Sequence, residues 1–143
     1  MAEAAVRIDR AGIHPVHAFL LSSAASLFLA GMLADIAYSR SYEIQWTNFA
    51  SWLIVGALVL AGFALLWALI DLLRADRSGR GRPLITFLVL CAAWVLGFVN
   101  ALVHAKDAWE KMPEALLLSI IVTLLAFAAV WLGLSNVRVG DAK

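Results

Sequence analysis

The sequence predicts an all-α polytopic membrane protein built as an up-down bundle of four transmembrane helices. Three observations carry that expectation. Four apolar runs, roughly His17–Tyr38, Ala50–Leu73, Leu84–His104 and Ala115–Ser135, fill most of the 143 residues. Each approaches the ~20 residues that a helix rising ~1.5 Å per residue needs to cross a ~30 Å hydrocarbon layer. Overall, 64% of the residues are hydrophobic and the mean hydropathy is +0.90. Backbone amides in lipid must be satisfied within their own segment, so an apolar run of this length reads as a helix. The connections are about 11, 10 and 10 residues long. Short connections make consecutive helices antiparallel neighbours.

The whole of residues 1–143 therefore reads as one membrane domain. Residues 1–16 form an entry segment in which Val6, Ile8 and Ile13 alternate with charges and Gly12 breaks regularity. Pro15 suits a first helical turn, where its missing N–H is no loss. The first run is expected to stay as an anchor, because no small-x-small cleavage site follows it and three further spans do. The segment Ser39–Asn48 reads as a loop with Tyr38, Tyr42 and Trp46 at a membrane–water interface. Trp109 is assigned to the same belt, and Trp67 and Trp131 to the opposite one. The second loop, Arg74–Pro83, is rich in arginine and made pliable by Gly79 and Gly81. Its glycine spacing is not a phosphate-binding loop, since no strand precedes it and no Gly-Lys-Ser/Thr follows. In the third span, Cys91 is the single cysteine, which excludes an intramolecular disulfide, and it reads as a small packing residue. In the second span Ala57, Ala64 and Ala68, and in the fourth Ser119, Thr123 and Ala126, make stripes suited to close helix packing, within the chain or between copies.

Basic residues set the orientation. Arg7, Arg10, Arg74, Arg77, Arg80, Arg82, Arg138 and Lys143 fall on one side, against Arg40, Lys106 and Lys111 on the other. The positive-inside rule then places both termini and the Arg-rich loop 74–83 in the cytoplasm of a multi-pass bacterial inner-membrane protein.

Polar residues inside spans are costly and mark function or pairing. Ala93, Gly97, Asn100 and His104 recur at spacings of 4, 3 and 4, so they share one face of helix three. Asp35 ends helix one at comparable depth. These residues predict an outer pocket of Asp35, Asn100 and His104, roofed by Tyr38, Tyr42, Trp46 and Trp109. A carboxylate beside an imidazole orients it and fixes which nitrogen is free for a ligand. At the inner side His14 and His17, with Asp71 and Arg74, are expected to form a structural network that ties helix one to helix two. His17 and Asp35 share a face but lie ~27 Å apart along the axis, so no single metal takes both. The metal content is left open.

The start His14-Pro15-x-His17, a first helix ending in Asp35, a second ending in Asp71 and a third carrying Asn100 resemble the bacterial four-helix membrane family called domain of unknown function 2231. The stretch Gly97–Trp109 is the most distinctive part. The resemblance implies a polytopic inner-membrane protein. Some members are similar to membrane parts encoded beside, or fused to, quinoprotein sugar dehydrogenases or c-type cytochromes, which implies a place near periplasmic electron transfer.

No motif fixes a reaction, and the chain reads as non-enzymatic rather than catalytic. Its leading reading is a non-catalytic membrane subunit or scaffold. The alternative is a redox-linked protein that binds haem b or quinone through His104, Asp35, Asn100, Trp46 and Trp109 and serves a periplasmic dehydrogenase or cytochrome. A second alternative is a small transporter or channel, which lacks broken helices and inverted repeats in its favour. The expected partners are membrane lipids, further copies of the chain or a larger membrane complex, and a periplasmic redox protein, with no nucleic acid.

Overall fold

The computed structural model of the protein describes residues 13–106 and 111–135. They form four helices: α1 (Pro15–Ser41), α2 (Ile44–Arg74), α3 (Gly81–His104) and α4 (Glu114–Leu134). All four are long and apolar enough to cross a membrane. The entry residues 1–12, with Arg7 and Arg10, lie outside the described residues, as do Asp107, Trp109, Arg138 and Lys143.

Local chemistry fixes the helix ends. Pro15 opens α1, and the Nδ1 of His14 accepts the Val16 N–H at 3.3 Å as an N-cap. Tyr42 closes α1 in the left-handed region, φ 55°, with its N–H on the Tyr38 carbonyl at 2.8 Å. Pro83 lies in the first turn of α3, where no intrahelical N–H is needed. Glu114 places a carboxylate at the positive N-terminus of α4.

The expected loop 39–48 is far shorter in the structure. Only Tyr42 and Glu43 separate α1 from α2. The second connection likewise shrinks to residues 75–80. Apolarity marks the length matched to lipid, while the helix runs on wherever its backbone can close i→i−4 bonds. At 31 residues, α2 is about 46 Å long and exceeds the hydrocarbon layer.

The helices form a ring, α1–α2–α3–α4–α1, and no Cα pair joins the diagonals α1–α3 or α2–α4 within 8 Å among the described residues. Small residues make that ring tight. Ala50, Ala57, Ala61, Ala64 and Ala68 of α2 are all buried, so the alanine stripe faces the bundle interior. Ser119, Thr123 and Ala126 of α4 also turn inward. Both stripes are thus spent on packing within the chain. Phe28, Ile54 and Val122 fill the middle of the core, and Leu21 and Leu90 fill it toward the His17 end. At Gly97 an added Cβ would sit 3.1 Å from both Phe28 Cζ and Leu58 Cδ2. Glycine here lets the Phe28 ring of the diagonal helix reach α3, although the two backbones stay apart. Outside, Phe19, Trp52, Phe63, Leu73, Leu124 and Trp131 are exposed. So much exposed apolar surface suits lipid rather than water.

Candidate functional site

Two polar centres lie at opposite ends of the bundle. At the His104 end, the sequence-predicted trio meets. Asp35 and Asn100 are 0% exposed and His104 is 5%. The Nε2 of His104 is 2.8 Å from Asp35 Oδ1, and its Nδ1 is 2.9 Å from the Asn100 carbonyl oxygen. Ser119 of α4 completes the centre: its hydroxyl donates to Asp35 Oδ2 at 2.5 Å and accepts from Asn100 Nδ2 at 2.8 Å. Asp35 belongs to α1 and His104 to α3, so this network spans a diagonal that the backbones do not.

Hydrogen-bond inventory fixes much of the proton count. A carbonyl can only accept, so Nδ1 of His104 carries a hydrogen. One further proton lies between Nε2 and Oδ1. Imidazolium with carboxylate, or imidazole with carboxylic acid, both leave the pair neutral. A neutral, hydrogen-bonded pair is the form in which such groups tolerate a low-dielectric interior. Asn100 Oδ1 remains without a hydrogen-bond partner.

Beside His104 lies a cavity of about 320 Å³, walled by Thr47, Asn48, Ser51, Lys106 and Lys111 as well as by His104. Lys111 is buried and donates to the His104 carbonyl at 3.2 Å. The buried Thr47 hydroxyl has no hydrogen-bond partner. Trp46 is 44% exposed and does not wall this cavity. Tyr38 is buried and meets the exposed Tyr42 edge-on, ring centroids 6.0 Å apart. Trp109 falls outside the described residues. Neither tyrosine walls the cavity, so among the described residues the expected aromatic roof does not form over it. Haem does not fit His104 as it stands, because both ring nitrogens are engaged and neither is free for iron. Among the described residues, no group of three His, Cys, Asp or Glu is placed to hold a metal ion.

At the His17 end, three of the four expected residues gather. His17 Nδ1 is 3.7 Å from Asp71 Oδ2, joining α1 to α2. The rings of His14 and His17 pack on Trp67, with centroids 4.8 and 5.8 Å away. Arg74 stands exposed and takes no part in the ion pair. Arg82, from the start of α3, faces the same space instead, with its guanidinium bonded to the Ser135 hydroxyl.

Sequence reasoning placed Ser119 in a packing stripe, Trp67 in an interfacial belt and Arg82 in the loop charge. The polarity of Ser119 within an apolar helix is the nearest signal, and it reads equally as a small packing residue. For Trp67 and Arg82 there was none, since their partners are set by helix rotation.

Four lipid-length helices around a buried carboxylate–imidazole pair define a polytopic α-helical membrane protein with a polar lock in its core. The chain belongs to the family described as predicted membrane protein (DUF2231), whose profile matches residues 13–140. No curated protein and no solved structure matches the chain significantly.

Proposed function

We propose that the chain is a non-catalytic membrane subunit or scaffold of the bacterial inner membrane, with both termini in the cytoplasm. The observation that carries this reading is the mutual engagement of Asp35 and His104, with Ser119 and the Asn100 carbonyl, across the bundle. The acidic and basic groups spend their hydrogen bonds within this set. A reactive centre would keep a nucleophile, base or ligand position open toward a substrate. Here the strongest polar groups fix the mutual rotation of α1, α3 and α4. The exposed apolar surface supports contact with lipid, with further copies or with a larger complex. The eight-to-three distribution of basic residues supports the orientation.

The test is an absorption spectrum of the protein purified in nanodiscs, with mass spectrometry of its small-molecule extract and native mass spectrometry of the particle. The scaffold reading expects no Soret band, no stoichiometric quinone, and a mass above that of one chain. A cofactor at one per chain that disappears in His104→Ala overturns it.

One observation favours a second reading. The cavity beside His104 presents the unpartnered Thr47 hydroxyl together with the Asn48 amide, groups able to donate to the carbonyl oxygens of a quinone. Such a site would face a periplasmic redox partner in the orientation above. Quinone retained by wild type and lost in Thr47→Val would establish it.

A further inference from the structure

The His17 end holds a second cavity, of about 370 Å³, to which all four helices contribute. His14 and His17 come from the start of α1, Trp67 and Asp71 from α2, Arg82 from α3 and Gly133 from α4. Its volume lies at the lower end of small-molecule sites, ~300–1,000 Å³. His17 is only 4% exposed, yet neither ring nitrogen has a hydrogen-bond partner. Buried polar atoms are nearly always satisfied, so a buried imidazole that makes no hydrogen bond on a cavity wall points to something bound there.

The surrounding chemistry narrows the occupant. Asp71, 51% exposed, lies on the Nδ1 side of His17 at 3.7 Å, which leaves Nε2 for the cavity. His14 commits its Nδ1 to the helix cap, so only its Nε2 can serve a ligand. Arg82 is a permanent cation, steadied by Ser135. Leu132 and Gly133 of α4 add no charge. An anion at Nε2, opposite Asp71 at Nδ1, would favour the imidazolium form of His17; Asp71 then neutralises that charge and Arg82 remains the cation for the anion to balance. Guanidinium and imidazolium N–H groups match the geometry of an oxyanion. The donor set is a poor cage for a metal, as no three His, Cys, Asp or Glu among the described residues are placed for one.

We propose that this cavity binds a phosphate-class oxyanion between the Arg82 guanidinium and the His17 ring. The same chemistry is offered by a free phosphate ion and by the phosphate of an anionic lipid headgroup. Arg74, Arg77 and Arg80 flank the cavity mouth in sequence and raise the local concentration of either one.

The chain has three histidines, His14, His17 and His104, so imidazole ¹⁵N resonances can be assigned one by one. His104, at the far end, serves as the internal control. In phosphatidylcholine nanodiscs at fixed pH and ionic strength, inorganic phosphate replaces chloride in steps. The free-ion source predicts a saturable His17 shift with His104 unmoved. In a second arm, phosphatidylglycerol nanodiscs without added phosphate show the His17 shift from the outset if the headgroup is the ligand. In the arm that responds, Arg82→Gln weakens the response about tenfold or more, the usual loss for a charge-assisted bond. Arg82 is exposed, so this variant keeps its fold, which an unchanged His104 resonance verifies. Arg82→Lys, which keeps charge but not the planar fork, should fall between. No His17 movement in either arm, or the same movement in Arg82→Gln, overturns the proposal.

Discussion

Replacing Asp35 is the most informative perturbation of this bundle. Asp35→Ala removes the acceptor of the Ser119 hydroxyl and the partner of His104 Nε2, both in a fully buried setting. Loss of one member of a buried pair costs about 3–5 kcal/mol when the other charge stays behind. That cost does not arise with a neutral imidazole, whose Nδ1–H keeps its bond to the Asn100 carbonyl. What remains is an idle Nε2 lone pair and an idle hydroxyl, at about 1–3 kcal/mol each. Membrane hydrogen bonds measure lower, ~0.6–2 kcal/mol, because the unfolded chain in lipid also finds partners. The expected loss is therefore about 2–4 kcal/mol. Asp35→Asn should cost much less. Its amide can donate to Nε2 of neutral His104 while its oxygen accepts from Ser119. The assay is reversible unfolding in bicelles, followed by circular dichroism, for Asp35→Ala, His104→Ala and the double variant. Contacting residues couple by ~0.5–3 kcal/mol, whereas independent ones add within about 0.5 kcal/mol. Additive losses, or an Asp35→Asn loss equal to that of Asp35→Ala, would refute the reasoning.

Three further outcomes follow from the same structure. Asp71→Ala should lower the stability slightly, by no more than about 1 kcal/mol, because its pair with His17 is half exposed; Asp76→Ala, in the connection 75–80, should be silent, and equal melting temperatures for both would remove the rim pairing. Gly97→Val should destabilise by about 1–3 kcal/mol through overpacking against Phe28 and Leu58, and a Phe28→Leu background should recover part of that loss in the same unfolding assay. Reporter fusions after Lys143 and at Tyr42 should report opposite sides of the membrane, as four spans require, with the Lys143 fusion on the cytoplasmic side by the distribution of basic residues; matching signals would reject the topology, and a cytoplasmic Tyr42 fusion the orientation.

The Asp35–His104 contact is legible in the amino-acid sequence. Both residues sit near helix ends at similar depth, and burial leaves a carboxylate few ways to be satisfied. The part of Ser119 is not legible there, because a serine in an apolar helix reads equally as a small packing residue. Nor is the exclusion of Arg74 in favour of Arg82, which depends on where α2 ends and how α3 begins.

By itself, the sequence determined four membrane-length helices, their antiparallel succession and the family, because lipid demands long apolar segments and short links permit little else. It also marked the inward faces through small and polar residues, as with Ala93, Gly97, Asn100 and His104. Only the tertiary structure decided the ring order of the helices, the diagonal reach of Asp35 to His104, and the cavity that gathers His17, Trp67 and Arg82. The physical reason is that these helices are apolar nearly all round. Hydrophobicity then leaves helix rotation undetermined, and rotation is settled by which small residues and hydrogen bonds fit together inside the bundle.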